Sequence, residues 1–218
     1  MRRKIRLLMT FLLLIGMILV SKKLSNIAVN GVIEENLVVI DAGHGGEDPG
    51  KVGVNGALEK DINLQIARRL QSKLEGEGVA VVMTRTEDIM DGSKNEDMRK
   101  RVSKINEIMP RIVISIHQNS YTSPNVKGAQ VFYYSDSEES KEAASIMQQE
   151  LKVLDSENKR EIKADHTFYM LKKTKVPIII VECGFLSNPE EAEKLVLEEY
   201  QEKLSATICN GIIKWLDK

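Results

Sequence analysis

The sequence predicts an α/β domain with a mainly parallel, twisted sheet and helices on both faces of that sheet. Short apolar runs alternate along the chain with longer segments whose apolar residues recur at helical spacing, a pattern that indicates βαβ units. The first apolar run, residues 37–40, is continuous, as expected of a strand that is covered on both faces. Residues 37–218 are therefore expected to form a single domain.

The first half of this domain begins with the strand at 37–40, followed by a glycine-rich loop and a helix. A second strand is expected at 79–84. Ser93 and Glu96 form a capping-box pattern that starts a second helix, and Pro110 ends it. The first helix is predicted from a stripe of apolar residues four positions apart, namely Leu58, Ile62, Ile66, Leu70 and Leu74.

The middle of the domain contains a predicted third strand at 111–116 and a fourth at 130–134. The segment 155–167 is charged and is expected to be a loop, and 168–171 is expected to be a short strand. Between them, a helix is predicted from the apolar face formed by Ala143, Met147, Leu151 and Leu154.

The last part of the domain contains a strand at 178–181 and a helix start at 188–191. That start has a capping Asn, a proline and first-turn acids in the order that helices favour. The final helix is predicted to bury Leu204, Ile208, Ile212 and Trp215.

The N-terminus has the pattern of an export signal. Basic residues precede an uncharged apolar run at 7–20, and two lysines follow it. The run is short for a membrane-spanning helix, which needs about 20 residues. Residues 1–24 are therefore interpreted as a signal peptide or an uncleaved membrane anchor, and 25–36 as a linker. We expect an exported protein that acts at the outer face of the membrane or in the cell wall.

Composition excludes several other classes of protein. The formal net charge is −1 with both signs interspersed, so no basic stripe indicates nucleic-acid binding. Aromatic residues make up 5% of the chain, which is low for a base-stacking surface. Cys183 and Cys209 are too few for a disulfide framework, and two buried free thiols are expected.

Four residues that can carry chemistry each lie where a predicted strand ends or a helix begins: His44, Glu59, His117 and Glu182. Sites in open α/β sheets form outside the carboxyl ends of the strands. Two imidazoles and one carboxylate can hold zinc and leave a position for water, and a second carboxylate can take a proton from that water. The pattern therefore indicates a metallohydrolase.

Each of these residues also has a simpler interpretation. His44 could be incidental in a tight glycine turn, and His117 could be a hydrogen-bonded core histidine. Glu59 could be an acid favoured by the helix dipole, and its position alone favours that interpretation.

Glu182 would be costly to bury unless it were paired or bound to a metal. A salt bridge to Arg85 or Arg101 is the alternative for Glu182. Cys183 could act as a nucleophile with His117, but the sequence offers no partner to orient that histidine.

Four strings of the sequence together resemble the zinc-dependent N-acetylmuramoyl-L-alanine amidases of the family-3 type, which are peptidoglycan hydrolases. The resemblance covers residues 37–217, nearly the whole predicted domain. The strings are Asp-Ala-Gly-His-Gly-Gly at 41–46, Glu-Lys-Asp-Ile-Asn-Leu at 59–64, Ser-Ile-His-Gln-Asn at 115–119 and Val-Glu-Cys-Gly-Phe-Leu-Ser-Asn at 181–188.

The resemblance implies that His44, Glu59 and His117 bind Zn²⁺ and that Glu182 is the catalytic carboxylate. The implied reaction is hydrolysis of the amide between N-acetylmuramic acid and the L-alanine of the stem peptide. His166 matches no family motif and is expected to be an exposed loop residue, although it could line the substrate groove.

The size of the chain and the absence of accessory modules resemble the sporulation members of this family, which remodel spore-cortex peptidoglycan. We also expect an exported regulatory protein partner, since the sequence shows no inserted blocking helix between His117 and Gly128. Two alternatives remain open at this point: a zinc peptidase that acts within the stem peptide, and a non-catalytic wall-binding module.

Overall fold

The computed structural model describes residues 36–218, and six strands in this part of the chain form one sheet. The strands are β1 Val38–Ala42, β2 Val81–Met83, β3 Ile112–Asn119, β4 Gln130–Tyr134, β5 Lys163–Asp165 and β6 Ile178–Phe185. Their order in the sheet is β2-β1-β3-β6-β4-β5. All neighbouring pairs are parallel except β4 and β6, which are antiparallel. The predicted α/β class with a mainly parallel sheet is confirmed.

Helices cover both faces of the sheet, as predicted. They are α1 Glu59–Gly76, α2 Lys94–Ile108, α3 Glu138–Leu154, α4 Tyr169–Lys173, α5 Pro189–Leu195 and α6 Glu198–Leu216. Side chains alternate between the two faces of a strand. Val38 and Ile40 of β1 therefore join the core beneath α1, α3 and α6, whereas Val39 joins the core beneath α2 and α4.

The segment predicted as a loop at 155–167 contains a strand, so that expectation was wrong. Strand β5 lies at the edge of the sheet and pairs only with β4. Its side chains at Lys163 and Ala164 are exposed. An edge strand of three residues carries no buried apolar face, and the sequence therefore shows no strand pattern there.

The short strand predicted at 168–171 was also wrong, because the chain forms helix α4 there. The Asp165 carboxylate accepts hydrogen bonds from the backbone N–H groups of Thr167, at 2.6 Å, and Phe168, at 2.8 Å. These bonds turn the chain and lead it into a helix, a local effect of Asp that outweighs the apolar character of the next residues.

The N-terminal signal or anchor predicted at residues 1–24 lies outside the described residues, as does the linker up to residue 35. Among the helices at 36–218, none combines the length and the apolar character needed to cross a membrane.

A buried polar network ties β1 to its neighbours at the carboxyl end of the sheet. Asp41 is 2% exposed, and its carboxylate accepts from Thr84 Oγ1 at 2.7 Å, Ser115 Oγ at 2.7 Å and Arg101 Nη1 at 3.1 Å. Burial alone would raise the pKa of Asp41, but the Arg101 guanidinium and the hydroxyl donors hold this pKa below its ordinary value. Asp41 is therefore a buried anion whose charge Arg101 compensates.

Replacing Arg101 should destabilise the fold, because it would leave Asp41 buried and uncompensated. We expect Arg101→Met to lower the free energy of unfolding by roughly 3–5 kcal/mol, measured by urea denaturation. Arg99→Met is the matched control, since Arg99 is exposed on the same helix and, among residues 36–218, donates only to the carbonyl of Asn95 in its own turn. The control should change stability by about 0.5 kcal/mol or less. Equal unfolding midpoints for the two variants would contradict this account of the network.

Candidate metal centre

Three of the four predicted site residues converge on one point at the carboxyl edge of the sheet. His44 lies in the loop after β1, Glu59 is the first residue of α1, and His117 lies in β3. Glu59 Oε1 is 2.9 Å from His117 Nδ1 and 3.2 Å from His44 Nε2. One ligand atom from each residue lies within 4.8 Å of the other two.

The Glu59 carboxylate is held by two backbone N–H groups in addition to the imidazoles. Gln118 N–H donates to Oε1 at 3.1 Å, and Lys51 N–H donates to Oε2 at 2.7 Å. Burial would raise the pKa of Glu59, but the hydrogen bond from His117 and the adjacent His44 ring outweigh it and lower this pKa. Glu59 is thus a buried carboxylate aimed at both imidazoles, which an ordinary first-turn acid would not be.

His44 is held from behind by a carboxylate. Asp48 Oδ2 lies 2.7 Å from His44 Nδ1. Because an ionised carboxylate can only accept, Nδ1 carries the proton and Nε2 is left facing Glu59. Metal-binding histidines typically have such a carboxylate behind the ring, where it sets the tautomer and orientation.

The loop that carries His44 has an uncommon backbone conformation, with φ of 63° at His44 itself. Two buried arginines hold its carbonyl groups. Arg101 donates to the carbonyls of Ala42 and His44, each at 2.7 Å. Arg85 donates to the carbonyls of Ala42 at 2.9 Å and Gly43 at 3.1 Å. These bonds satisfy backbone groups that a tight turn leaves without strand partners.

Two glycines make room for the convergence. A Cβ at Gly43 would lie 2.2 Å from His117 Cε1. A Cβ at Gly50 would lie 2.5 Å from Glu59 Oε2 and 2.7 Å from His44 Cδ2, and φ there is +68°. Only glycine lets the backbone approach the three side chains this closely.

His117 and Glu182 are direct neighbours across β3 and β6. Both strands run further than predicted, and their register places His117 opposite Glu182. Burial lowers the pKa of His117, but its hydrogen bond to Glu59 more than offsets this and raises the pKa to about 9. The imidazole therefore lies in a strongly negative environment, which also suits a cation.

Glu182 is the fourth predicted residue, and it does not form the salt bridge that was its alternative. Arg85 and Arg101 bind the loop carbonyls instead. The Oε2 atom of Glu182 is buried and has no hydrogen-bond partner among the described residues. Burial raises the pKa of Glu182 to about 7, with His117 opposing and Glu59 reinforcing this shift. An unpaired buried carboxylate is costly, and such groups mark functional sites.

The donor set fits a zinc ion. Two imidazoles and one carboxylate are the ligands of several catalytic zinc sites, which keep a further position open. A cavity of about 480 Å³ opens onto these residues and Glu182, with Lys51, Met98 and Phe168 also in its lining. The cluster His44–Glu59–His117 is thus a candidate metal site that a substrate can reach.

The other two candidates from the sequence do not contribute to this cluster. Cys183 and Cys209 are free and buried, as expected. Cys183 packs into the core on the opposite face of the sheet from Glu182, and its burial raises the pKa of the thiol well above its ordinary value, so it is no nucleophile. His166 is exposed and is not part of the cavity lining.

Sequence reasoning missed the residues that orient the cluster. Asp48, which holds His44, and the backbone N–H of Lys51, which holds Glu59, were not singled out. Asn63 was also missed, and its amide donates to the Gly43 carbonyl at 3.0 Å. An acid four positions after a candidate metal-binding histidine was a signal for Asp48, but no sequence pattern indicates a backbone N–H donor.

Comparisons with known proteins agree with this geometry. A family model described as N-acetylmuramoyl-L-alanine amidase matches residues 38–214. The germination-specific N-acetylmuramoyl-L-alanine amidase of Bacillus subtilis is 37% identical over 188 residues, which span 82% of this chain and 79% of that protein.

Solved structures show the same similarity. The CwlD amidase from Clostridioides difficile, solved in complex with the GerS lipoprotein, superposes with a TM-score of 0.81 at 38% identity, over 84% of this chain and 98% of CwlD. The catalytic domain of CwlV, an amidase from Bacillus (Paenibacillus) polymyxa, gives a TM-score of 0.76 at 30% identity, over 84% and 98% of the two chains. The chain therefore belongs to the N-acetylmuramoyl-L-alanine amidases, enzymes that act on cell-wall peptidoglycan.

Proposed function

We propose that this amidase is zinc-dependent, with His44, Glu59 and His117 as the metal ligands and Glu182 as the catalytic carboxylate. The observation that carries the proposal is the convergence of the three ligand atoms within 4.8 Å, beside a carboxylate whose Oε2 is buried and unpaired. Zinc bound there would polarise the scissile carbonyl and lower the pKa of a water molecule.

Glu182 is suited to move the proton that the hydrolysis requires. Burial raises its pKa above the ordinary value, and its unpaired Oε2 is free to accept a proton from the attacking water. The water oxygen forms a bond to the lactyl carbonyl carbon of N-acetylmuramic acid. When the carbon–nitrogen bond then breaks, Glu182 returns the proton to the amino group of L-alanine, and a lactyl carboxylate is left on the sugar.

The remaining residues of the site hold this geometry. Asp48 orients the His44 ring, and the backbone N–H groups of Lys51 and Gln118 orient Glu59. These groups are set by hydrogen bonds before the substrate arrives, so little reorganisation is needed during the reaction.

We further propose that the substrate is spore-cortex peptidoglycan and that an exported lipoprotein raises the activity. Two relatives support this: the Bacillus subtilis protein named as germination-specific, and the CwlD amidase that was solved with the GerS lipoprotein. A partner of this kind would act by favouring the active form of the site, since a ligand that binds one form shifts the population toward it.

Replacing Glu182 should slow turnover without removing the metal. We expect Glu182→Gln to lower kcat by roughly 10²–10⁴-fold while the protein retains about one zinc per chain, because Glu182 is proposed to move protons and not to bind the metal. Release of lactyl carboxylates from peptide-bearing glycan strands measures kcat, and elemental analysis measures zinc.

The matched variants of this experiment are His44→Ala and His117→Ala, which should lose zinc and turnover together. His166→Ala is the control and should keep both, since His166 is exposed and outside the cavity lining. Loss of zinc in Glu182→Gln would make Glu182 a ligand, and full zinc retention in both site histidine variants would place the metal elsewhere.

The partner proposal predicts that the purified chain is a slow enzyme on its own. With saturating zinc, kcat/KM on isolated spore-cortex peptidoglycan should rise at least about tenfold when a detergent extract of exported lipoproteins from sporulating cells of the same organism is added. Vegetative peptidoglycan is the substrate control and should be cleaved more slowly. An unchanged rate after addition would defeat the partner proposal, and equal rates on both walls would defeat the cortex preference.

A further inference from the structure

Charges at the cavity mouth suggest how the enzyme recognises its substrate. Apart from the proposed ligands and Glu182, the charged residues at 36–218 that line the cavity are Lys51 and Lys94. Both are basic. The surface around the reacting centre is therefore complementary to an anionic group.

The two lysines differ in whether a nearby carboxylate compensates the charge of the side chain. Lys94 Nζ is 3.0 Å from Asp48 Oδ2, the same carboxylate oxygen that lies 2.7 Å from His44 Nδ1. Its charge is thus already compensated by a residue that holds the candidate metal site. Within residues 36–218, the Lys51 ammonium has no carboxylate within 4.0 Å and no hydrogen-bond partner, and the residue is exposed.

The backbone of Lys51 is fixed against the proposed zinc ligand on both sides. Its N–H donates to Glu59 Oε2 at 2.7 Å, and its carbonyl accepts from the Glu59 N–H at 2.9 Å. The preceding residue, Gly50, packs directly against the Glu59 and His44 side chains. The root of the Lys51 side chain therefore has a fixed position beside the reacting centre, and only its flexible stem can move.

Other residues that line the cavity are apolar or aromatic. They include Met98 of α2 together with Phe168, Tyr169 and Met170 at the start of α4. Apolar and aromatic surfaces of this kind suit uncharged parts of a ligand, such as the faces of sugar rings. The lining thus combines a lysine that forms no ion pair within residues 36–218 with apolar and aromatic surface.

We propose that Lys51 is a specificity-determining residue that binds a carboxylate of the stem peptide, so that the acidic peptide lies on the Lys51 side of the cavity. The inference rests on the proposed function. In the stem peptide, the first residue after L-alanine carries a carboxylate when it is not amidated. Its Cα lies at most roughly 5 Å from the nitrogen of the scissile bond, one N–Cα bond plus one residue length, so its carboxylate lies close to the residues that line the cavity around the reacting centre.

The proposal predicts a difference between two substrates. Two soluble muramyl peptides would be compared, identical except that the second stem residue has either a free carboxylate or a primary amide. Lys51→Met should raise KM for the acidic substrate by about tenfold, since a charged hydrogen bond at an exposed site is lost. The same variant should leave KM for the amidated substrate within about twofold, since the substitution keeps the backbone N–H that orients Glu59.

Two further variants accompany Lys51→Met. Lys51→Arg keeps the charge and should restore most of the preference for the acidic substrate. Lys141→Met removes an exposed lysine on α3, on the other face of the sheet, and should change neither KM. Zinc content and melting temperature, measured for every variant, would show whether the site and the fold are intact.

The possible results distinguish a failure of the Lys51 inference from a failure of the proposed function. Equal changes in KM for the two substrates, or no change at all in Lys51→Met, would overturn the role of Lys51 while the amidase assignment stands. If the wild-type protein with bound zinc releases lactyl carboxylate from neither substrate, the proposed function fails, and the inference fails with it.

Discussion

The Glu59 carboxylate is the interaction on which the site depends. It begins α1, yet it lies 2.9 Å from an imidazole of β3 and 3.2 Å from one in the loop after β1. Burying such a group is unfavourable unless its oxygens are hydrogen-bonded, and here the His117 imidazole and two backbone N–H groups donate to them. A helix, a strand and a loop are therefore held together by one side chain, and the same contacts place three potential ligands at one point.

A second set of buried charged residues holds these three potential ligands in position. Arg101 compensates Asp41 within the sheet edge and also holds the carbonyls on both sides of Gly43. The left-handed conformation at His44 is unfavourable for a non-glycine residue and persists because these contacts determine it. Stability and function are thus coupled: the network that stabilises the end of β1 also orients His44.

The sequence predicted the sheet and most helices, because their apolar residues recur at regular spacing in buried positions such as Ile62 and Ile66. It predicted β5 and α4 wrongly, since an exposed edge strand has no apolar face and since the turn at Asp165 depends on a local hydrogen bond. Glu59 shows what the sequence alone could not predict about the site. Its position alone favoured an ordinary first-turn acid, and only its contacts with residues 15 and 58 positions away in the chain distinguish it. Such contacts depend on the tertiary structure and leave no local pattern.

We propose that two imidazoles and one carboxylate bind zinc in this amidase. X-ray absorption at the zinc edge of the metal-loaded protein tests it most directly, because the method reports the type and distance of the ligand atoms. We expect nitrogen and oxygen ligands at about 2.0–2.2 Å with outer-shell scattering from two imidazoles. A sulfur ligand at about 2.3 Å, or scattering from fewer than two imidazoles, would contradict it.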